Sequence, residues 1–218
     1  MGTTVFILGE SGTGKSSSIE TLNPKETLVI KTIAKPFPFR SADWKKYTKD
    51  NPDGSVLVTD NSSIICKVIE KTEKKIIIID DFQYIMANEF MRGVDKQYSG
   101  GEAFQRFNVI AKNVYNIMEA GLKASEDKRI YFLAHTEETA SGRTKVKTIG
   151  KLLDEKVVLE GLCTIVLRTV VTNGVYEFST QNNGEDTCKS PKGMFEGERI
   201  PNDLLLVDQS IKSYYGFN

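Results

Sequence analysis

The sequence predicts an α/β domain, with a mostly parallel central sheet, helices on both faces and a C-terminal antiparallel hairpin extension. Three observations carry this expectation. Four short runs at residues 3–8 (TTVFIL), 27–32 (TLVIKT), 75–80 (KIIIID) and 129–135 (RIYFLAH) are apolar almost throughout, as strands covered on both faces are. Helical patterns separate them, and that alternation is the signature of parallel strands joined by crossovers. Two further strand-like runs, 162–171 and 175–180, flank Thr172-Asn173-Gly174, and Asn-Gly is a strong hairpin signal.

In chain order, the first run leads through a Gly-rich turn into a predicted helix at 15–22 and then the strand at 27–32. Residues 34–61 carry Pro36, Pro38 and Pro52 and read as a long irregular connection. A helix is expected at 62–74, ahead of the strand at 75–80. A short helix follows at 82–91, then a polar loop at 92–101. Glu102–Lys123 reads as a long helix, with Phe107, Ile110, Val114, Ile117 and Gly121 on one face at 3.6-residue spacing. After the strand at 129–135 come a polar loop at 136–147 and a short helix at 149–156. The tail, about 183–218, reads as irregular.

Size and composition narrow the function. A chain of 218 residues suits a single domain with its own core. With 29 Lys+Arg against 29 Asp+Glu the net charge is zero, so a site for a polyanion has to be a local patch rather than a basic coat. Cys66, Cys163 and Cys188 are too few and too scattered for a disulfide framework or a zinc cluster. They are expected to be free thiols, which points to a reducing cytoplasm. No apolar run is long enough to span a membrane, and no signal peptide is expected at the N-terminus.

The chemistry is concentrated after the first strand. Gly9-Glu10-Ser11-Gly12-Thr13-Gly14-Lys15-Ser16 fits G-x-x-x-x-G-K-[ST], with Ser17 directly behind it. The glycines let successive backbone N–H groups turn toward phosphate oxygens, Lys15 reaches the β- and γ-phosphates, and Ser16 ligates Mg²⁺. A helix beginning there would add its N-terminal partial charge. Asp80 closes Ile76-Ile77-Ile78-Ile79 in the manner of a Walker B strand and is the second candidate Mg²⁺ residue. Asp81 follows, placed either to orient or deprotonate an attacking water or to cap the next helix. His135, the single histidine, ends the strand at 129–135, where it can report the state of the γ-phosphate or simply terminate the strand.

With these residues placed, the chain resembles the RecA-like phage recombination ATPases known as Sak-four-type single-strand annealing proteins. The resemblance rests on GESGTGKSS, IIIIDDFQY, YFLAHTEE, TIGKLLDEK, EGLCTIVL, DTCKSPKGMF and IPNDL. It implies a bare RecA-like P-loop NTPase core over residues 1–218, ATP and Mg²⁺ as cofactors, and ATP hydrolysis stimulated by single-stranded DNA. It implies single-stranded DNA and further copies of the chain, in a ring or filament, as partners. A phage single-strand-binding protein is a further implied partner, and the cytoplasm of an infected bacterial host the implied location. The DNA-facing loops of such proteins match 92–101, with Arg92, Lys96 and Tyr98, and 136–147, with Arg143, Lys145 and Lys147. Lys189 and Lys192, beside Pro191 and Gly193, match the cation that a neighbouring subunit inserts at the γ-phosphate. One departure stands out. The strand at 27–32 ends without the acid that RecA-type proteins use in catalysis, so hydrolysis is expected either to use Asp81 or to be slow. Lys35 to Arg40, which follows, is placed either near the nucleotide or near a neighbouring subunit and has no assigned role.

Two other readings compete. One is a non-catalytic, ATP-dependent switch that recruits phage replication or recombination partners. The other is a small-molecule P-loop kinase, for which the expected Arg-rich lid is missing. The lack of an N-K-x-D base-reading motif argues against a GTPase.

Overall fold

The computed structural model describes residues 1–217. Its elements are β1 (Thr3–Leu8), β2 (Thr27–Lys31), β3 (Val56–Val58), α1 (Ser62–Lys71), β4 (Ile76–Asp80), α2 (Gln83–Met91), α3 (Glu102–Lys123), β5 (Arg129–Ala134), β6 (Thr136–Glu138), β7 (Thr144–Val146), β8 (Ile165–Thr172), β9 (Val175–Ser179), β10 (Arg199–Pro201) and α4 (Leu204–Tyr215). Eight strands form one sheet in the order β10-β9-β8-β1-β5-β4-β2-β3. The six from β8 to β3 run parallel, while β9 and β10 extend the β8 edge antiparallel. Asn173 and Gly174 close the β8–β9 hairpin at φ 52° and 80°, the left-handed pair that a two-residue hairpin turn requires.

Alternate strand residues face opposite sides of a sheet, and the two sides bury different partners. Phe6, Leu28, Ile30, Ile77, Ile79, Ile130 and Phe132 pack under α1, α2 and α3. Val5, Ile7, Val29, Ile78, Tyr131, Leu133 and Leu167 pack on the other side against Leu204, Val207 and Ile211 of α4. Register brings the C-terminal ends of the parallel strands to one edge. Leu8 pairs with Ala134 and with Arg168, Ile79 with Phe132, and Lys31 with Asp80.

The chain departs from the sequence expectation in four places. The helix expected at 15–22 is only a 3-10 turn, Ser17–Ile19. Ser16, Ser17 and Ser18 are poor helix formers, Ser18 Oγ donates to Lys15 O at 2.6 Å, and Pro24 lies just beyond. The irregular connection contains β3, too short to show a pattern. The polar loop at 136–147 is a hairpin, β6–β7, in which Glu137 stands opposite Lys145.

The tail is not irregular, since it supplies β10 and α4. Asp203 caps α4 by accepting from the Leu205 and Leu206 amides, and Gly216 ends it at φ 70°. Beneath α4, Asp208 accepts from Arg129 Nε and Nη2 and from Tyr131 Oη, each at 2.8 Å and fully enclosed. Among the described residues no helix is long and apolar enough to cross a membrane, and all three cysteines are free.

Candidate nucleotide site

The sheet edge where β1, β4 and β5 end holds a cleft of about 300 Å³ lined by Ser11, Gly12, Gly14, Lys15, Ser16, Ser17, Lys35, Pro36, Pro38, Asp80, Asp81 and His135. Residues far apart in the sequence meet here because their strands are parallel and in register. Of the stretch from Gly9 to Ser17, Ser11, Gly12, Gly14, Lys15, Ser16 and Ser17 line the cleft, whereas Gly9, Glu10 and Thr13 do not, and Glu10 is exposed.

The loop is held by its walls. Gly12 and Gly14 lie at φ 79° and 96°, in the left-handed region open to glycine. Gly9 passes so close to β8 that a Cβ there would sit 1.8 Å from Thr169 Oγ1. Thr169 in turn shares a 2.6 Å hydrogen bond with Thr13 Oγ1 and donates to Leu8 O at 3.2 Å. Among the described residues, no acceptor takes the amide protons of Gly12, Thr13, Gly14, Lys15 or Ser16, so these donors are available to an anion. The 3-10 turn behind them is too short to add the expected helix dipole, which leaves the work to the amides and Lys15.

Lys15 is buried, and its ammonium donates to Gly9 O at 2.8 Å and Glu10 O at 2.7 Å. Burial lowers its pKa to about 8, against the pull of Asp81 and Asp80. Ser16 Oγ donates to Asp80 Oδ1 at 2.8 Å. Burial and the adjacent Asp81 raise the Asp80 pKa, the response of a carboxylate poorly compensated at a dry position.

The donor set fits Mg²⁺. Neighbouring ligands of an octahedral ion at about 2.1 Å lie roughly 3 Å apart, close to the Ser16–Asp80 spacing. Magnesium takes few protein ligands beside water and phosphate. Bound there, it would neutralise phosphate charge, and Ser16 and Asp80 are the residues to hold it.

Asp81 does not cap α2. It adopts φ 60°, uncommon for a residue with a side chain, and this turns its carboxylate into the cleft. Asp81 Oδ2 meets Lys35 Nζ at 2.5 Å, and Oδ1 lies 3.7 Å from His135 Nε2. Burial alone would raise its pKa, but the His135 ring and the Lys35 ammonium outweigh it and hold the carboxyl below its ordinary range. Behind it, Thr32 Oγ1 donates to the carbonyls of Asp80 and Asp81. His135 is half-buried, and its amide donates to Gln83 Oε1 at 3.2 Å.

The remaining candidates lie elsewhere. Lys189 exchanges backbone hydrogen bonds with Val166, level with Phe6 on β1 rather than Leu8, and Lys192 is exposed on the turn beyond. Neither lines the cleft of its own chain. Arg143, Lys145 and Lys147 ride on the β6–β7 hairpin, and the Lys147 amide donates to His135 O at 2.8 Å. Arg143 and Lys147 are exposed, whereas Lys145 is ion-paired with Glu137 and Asp154. Arg92 pairs with Asp60 at 2.6 Å, and Lys96 is exposed. Tyr98 faces Arg106, whose guanidinium lies 5.2 Å from its ring centre. Thr32 and Thr169 are additional site residues, and the Lys35 to Arg40 segment, which has no role assigned from sequence, places Lys35, Pro36 and Pro38 at the cleft. Basic character and position after β2 were the only signal for Lys35, and nothing in the sequence marks Thr169.

The glycine-lined loop after β1, the Ser16–Asp80 pair and the parallel sheet that carries them define a P-loop NTPase fold. No protein-family model matches the chain, and no curated protein matches it. Among solved structures it is similar to the genome packaging NTPase B204 of Sulfolobus turreted icosahedral virus 2, in complex with ATP-gammaS. That similarity has 11% identity and a TM-score of 0.38, and covers 84% of this chain and 78% of that one. It is also similar to the Legionella pneumophila ATPase DotB, with 11% identity and a TM-score of 0.39 over 99% of this chain. The chain spans about half of DotB, 53% of its length. The fold and site described above stand on this chain's own geometry.

Proposed function

We propose that the chain binds ATP with Mg²⁺, hydrolyses it, and couples this cycle to single-stranded DNA, promoting annealing or strand pairing as a homo-oligomer in phage recombination. One observation carries the reading. Lys15, Ser16, Asp80, Asp81 and His135 share one cleft, and the hairpin bearing Arg143 and Lys147 is hydrogen-bonded directly to His135. A change at the γ-phosphate therefore has a short covalent and hydrogen-bonded route to two exposed cations suited to a phosphate backbone. Lys189 and Lys192, remote from their own cleft, reach a phosphate only in a neighbouring subunit, so their part in turnover requires assembly.

A second reading, an ATP-dependent switch that recruits replication or recombination partners, is favoured by a different observation. The end of β2 offers Lys31 and Thr32 instead of a carboxylate, and Asp81 is engaged by Lys35. Turnover measured with and without single-stranded DNA separates the two, since a switch gives bound ATP with no DNA-stimulated hydrolysis. Lys15→Ala is expected to abolish productive ATP binding, and Asp80→Asn to keep some nucleotide while losing Mg²⁺-dependent turnover. Wild-type hydrolysis by Lys15→Ala would sink the nucleotide assignment.

A further inference from the structure

Lys35 follows β2 on a segment built to hold it in place. Its amide donates to Ile33 O at 2.9 Å, and its carbonyl accepts from the buried Lys31 ammonium. Lys31 Nζ also lies 4.0 Å from the Phe37 ring centre. Phe37 stacks on Phe39 at 4.7 Å, and Trp44 closes the group at 5.6 and 6.0 Å. These rings pack against the core on the α4 side of the sheet. Pro36 and Pro38 restrict the backbone between them and line the cleft themselves.

The result is a backbone fixed at Lys31, Phe37 and Phe39, carrying a side chain that is half exposed at 48%. Its ammonium enters the cleft facing Lys15 and touches a single carboxylate there, Asp81. A surface ion pair needs no such scaffold.

From this geometry, and resting on the nucleotide reading above, we propose that Lys35 is a γ-phosphate cation of this site, supplied by the same chain that supplies the P-loop and separate from any that a neighbouring subunit brings. Asp81 holds the ammonium beside the loop, and the γ-phosphate of ATP, with its greater charge, takes it over. ADP presents no such group, so Lys35 stays on Asp81. The exchange requires only rotation about the flexible lysine stem, because the backbone is already anchored. It makes Lys35 a residue that distinguishes triphosphate from diphosphate and ties the occupancy of Asp81 to the nucleotide bound.

The test is a pair of titrations, ATP and ADP, on wild-type protein and on Lys35→Ala, with Lys35→Arg as the variant that keeps the charge. A charge-assisted hydrogen bond lost at a half-exposed position should weaken ATP about tenfold and leave ADP within twofold, with Lys35→Arg recovering most of the difference. Lys35 is exposed, so Lys35→Ala is expected to fold, and an unchanged thermal transition establishes that. Equal ATP-to-ADP preference in wild type and Lys35→Ala would overturn the role of Lys35 while leaving the nucleotide reading intact. Wild-type protein that binds neither nucleotide would overturn both. A mixing experiment tests the same-chain assignment. At an ATP concentration that does not saturate Lys35→Ala, mixing it with co-assembled Lys15→Ala protein should raise turnover at no ratio above that of Lys35→Ala alone, and a rise would show that Lys35 acts on a neighbour's nucleotide.

Discussion

Thr169 Oγ1 lies 2.6 Å from Thr13 Oγ1, joining β8 to the phosphate loop across 156 residues of sequence. The same hydroxyl occupies the space a Cβ on Gly9 would need. Gly9→Ala should therefore displace the loop and abolish nucleotide binding with the fold retained. Thr169→Ala in the Gly9→Ala background should restore part of it, because the 1.8 Å overlap disappears and the approaches left are 2.8 Å to Thr13 Oγ1 and 3.1 Å to the Cβ at position 169. Nucleotide titration of the two variants checks this, and a double variant no better than Gly9→Ala would show that the glycine serves something other than close approach.

The hairpin cations are not equivalent. Neutralising Arg143 and Lys147 together should reduce the slope of log affinity for single-stranded DNA against log salt by about 1.4, at about 0.7 per phosphate contact. Lys145→Ala should change it far less, since Glu137 and Asp154 already meet that charge. Binding measured between low and moderate salt decides it, and an unchanged slope in the double variant would move the DNA site toward Arg92 and Lys96.

Asp208 is enclosed with Arg129 and Tyr131. Asp208→Ala strands a buried guanidinium and should destabilise the protein by about 3–5 kcal/mol. Replacing all three by apolar residues, Arg129→Met, Tyr131→Phe and Asp208→Leu, should be much milder, because no uncompensated charge is left behind. Asp127→Asn offers a contrast. Its partner Lys75 holds its pKa down at about 2, yet the pair is exposed and screened, and its loss should stay below about 1 kcal/mol. Urea unfolding of the three variants ranks them.

Burial pushes the Cys163 thiol up to about 12, from an ordinary 9.0. A folded pKa above the unfolded one gives stability that is whole below the unfolded value and lost as pH climbs toward the folded one. Cys163→Ala removes that dependence. Its penalty at pH 7.5 should thus shrink by about 2 kcal/mol at pH 10.5, at about 1.4 kcal/mol per pH unit above 9. A penalty that is constant with pH would mean the thiol is not shielded.

The parallel core was legible because its strands are unbroken apolar runs, and Glu102–Lys123 because its apolar face repeats at helical spacing. The phosphate loop, Asp80 and Asp81 were legible because local spacing encodes their chemistry. The helix α4 carried a readable signal in Asp203, then Leu204, Val207, Asp208 and Ile211 at one-face spacing, then Gly216. The Pro- and Gly-containing stretch before it, and an aspartate on the buried face, hid that signal. Lys35 and Thr169 were not legible, because their roles exist only once a loop folds back on β4 and β8 lies beside β1. The Lys145 ion pairs likewise depend on a hairpin whose polar strands show no alternation.

The wall that Thr169 builds also sets an order of events during translation. Thr169 bonds Leu8 across 161 residues, and β5, the other neighbour of β1, begins only at Arg129. At roughly 5–20 residues per second, a ribosome takes roughly 8–30 s to go from one to the other. Until Arg129–Ala134 is made, β1 has no neighbour on either side, and until Thr169 is made the glycine-rich loop lacks its second wall. The contacts that Thr169 makes with Thr13 and Leu8 can form only after β8 is made. Pairing over such sequence distances is slow, which makes the unfinished sheet edge the stretch most in need of a chaperone while the chain is being born.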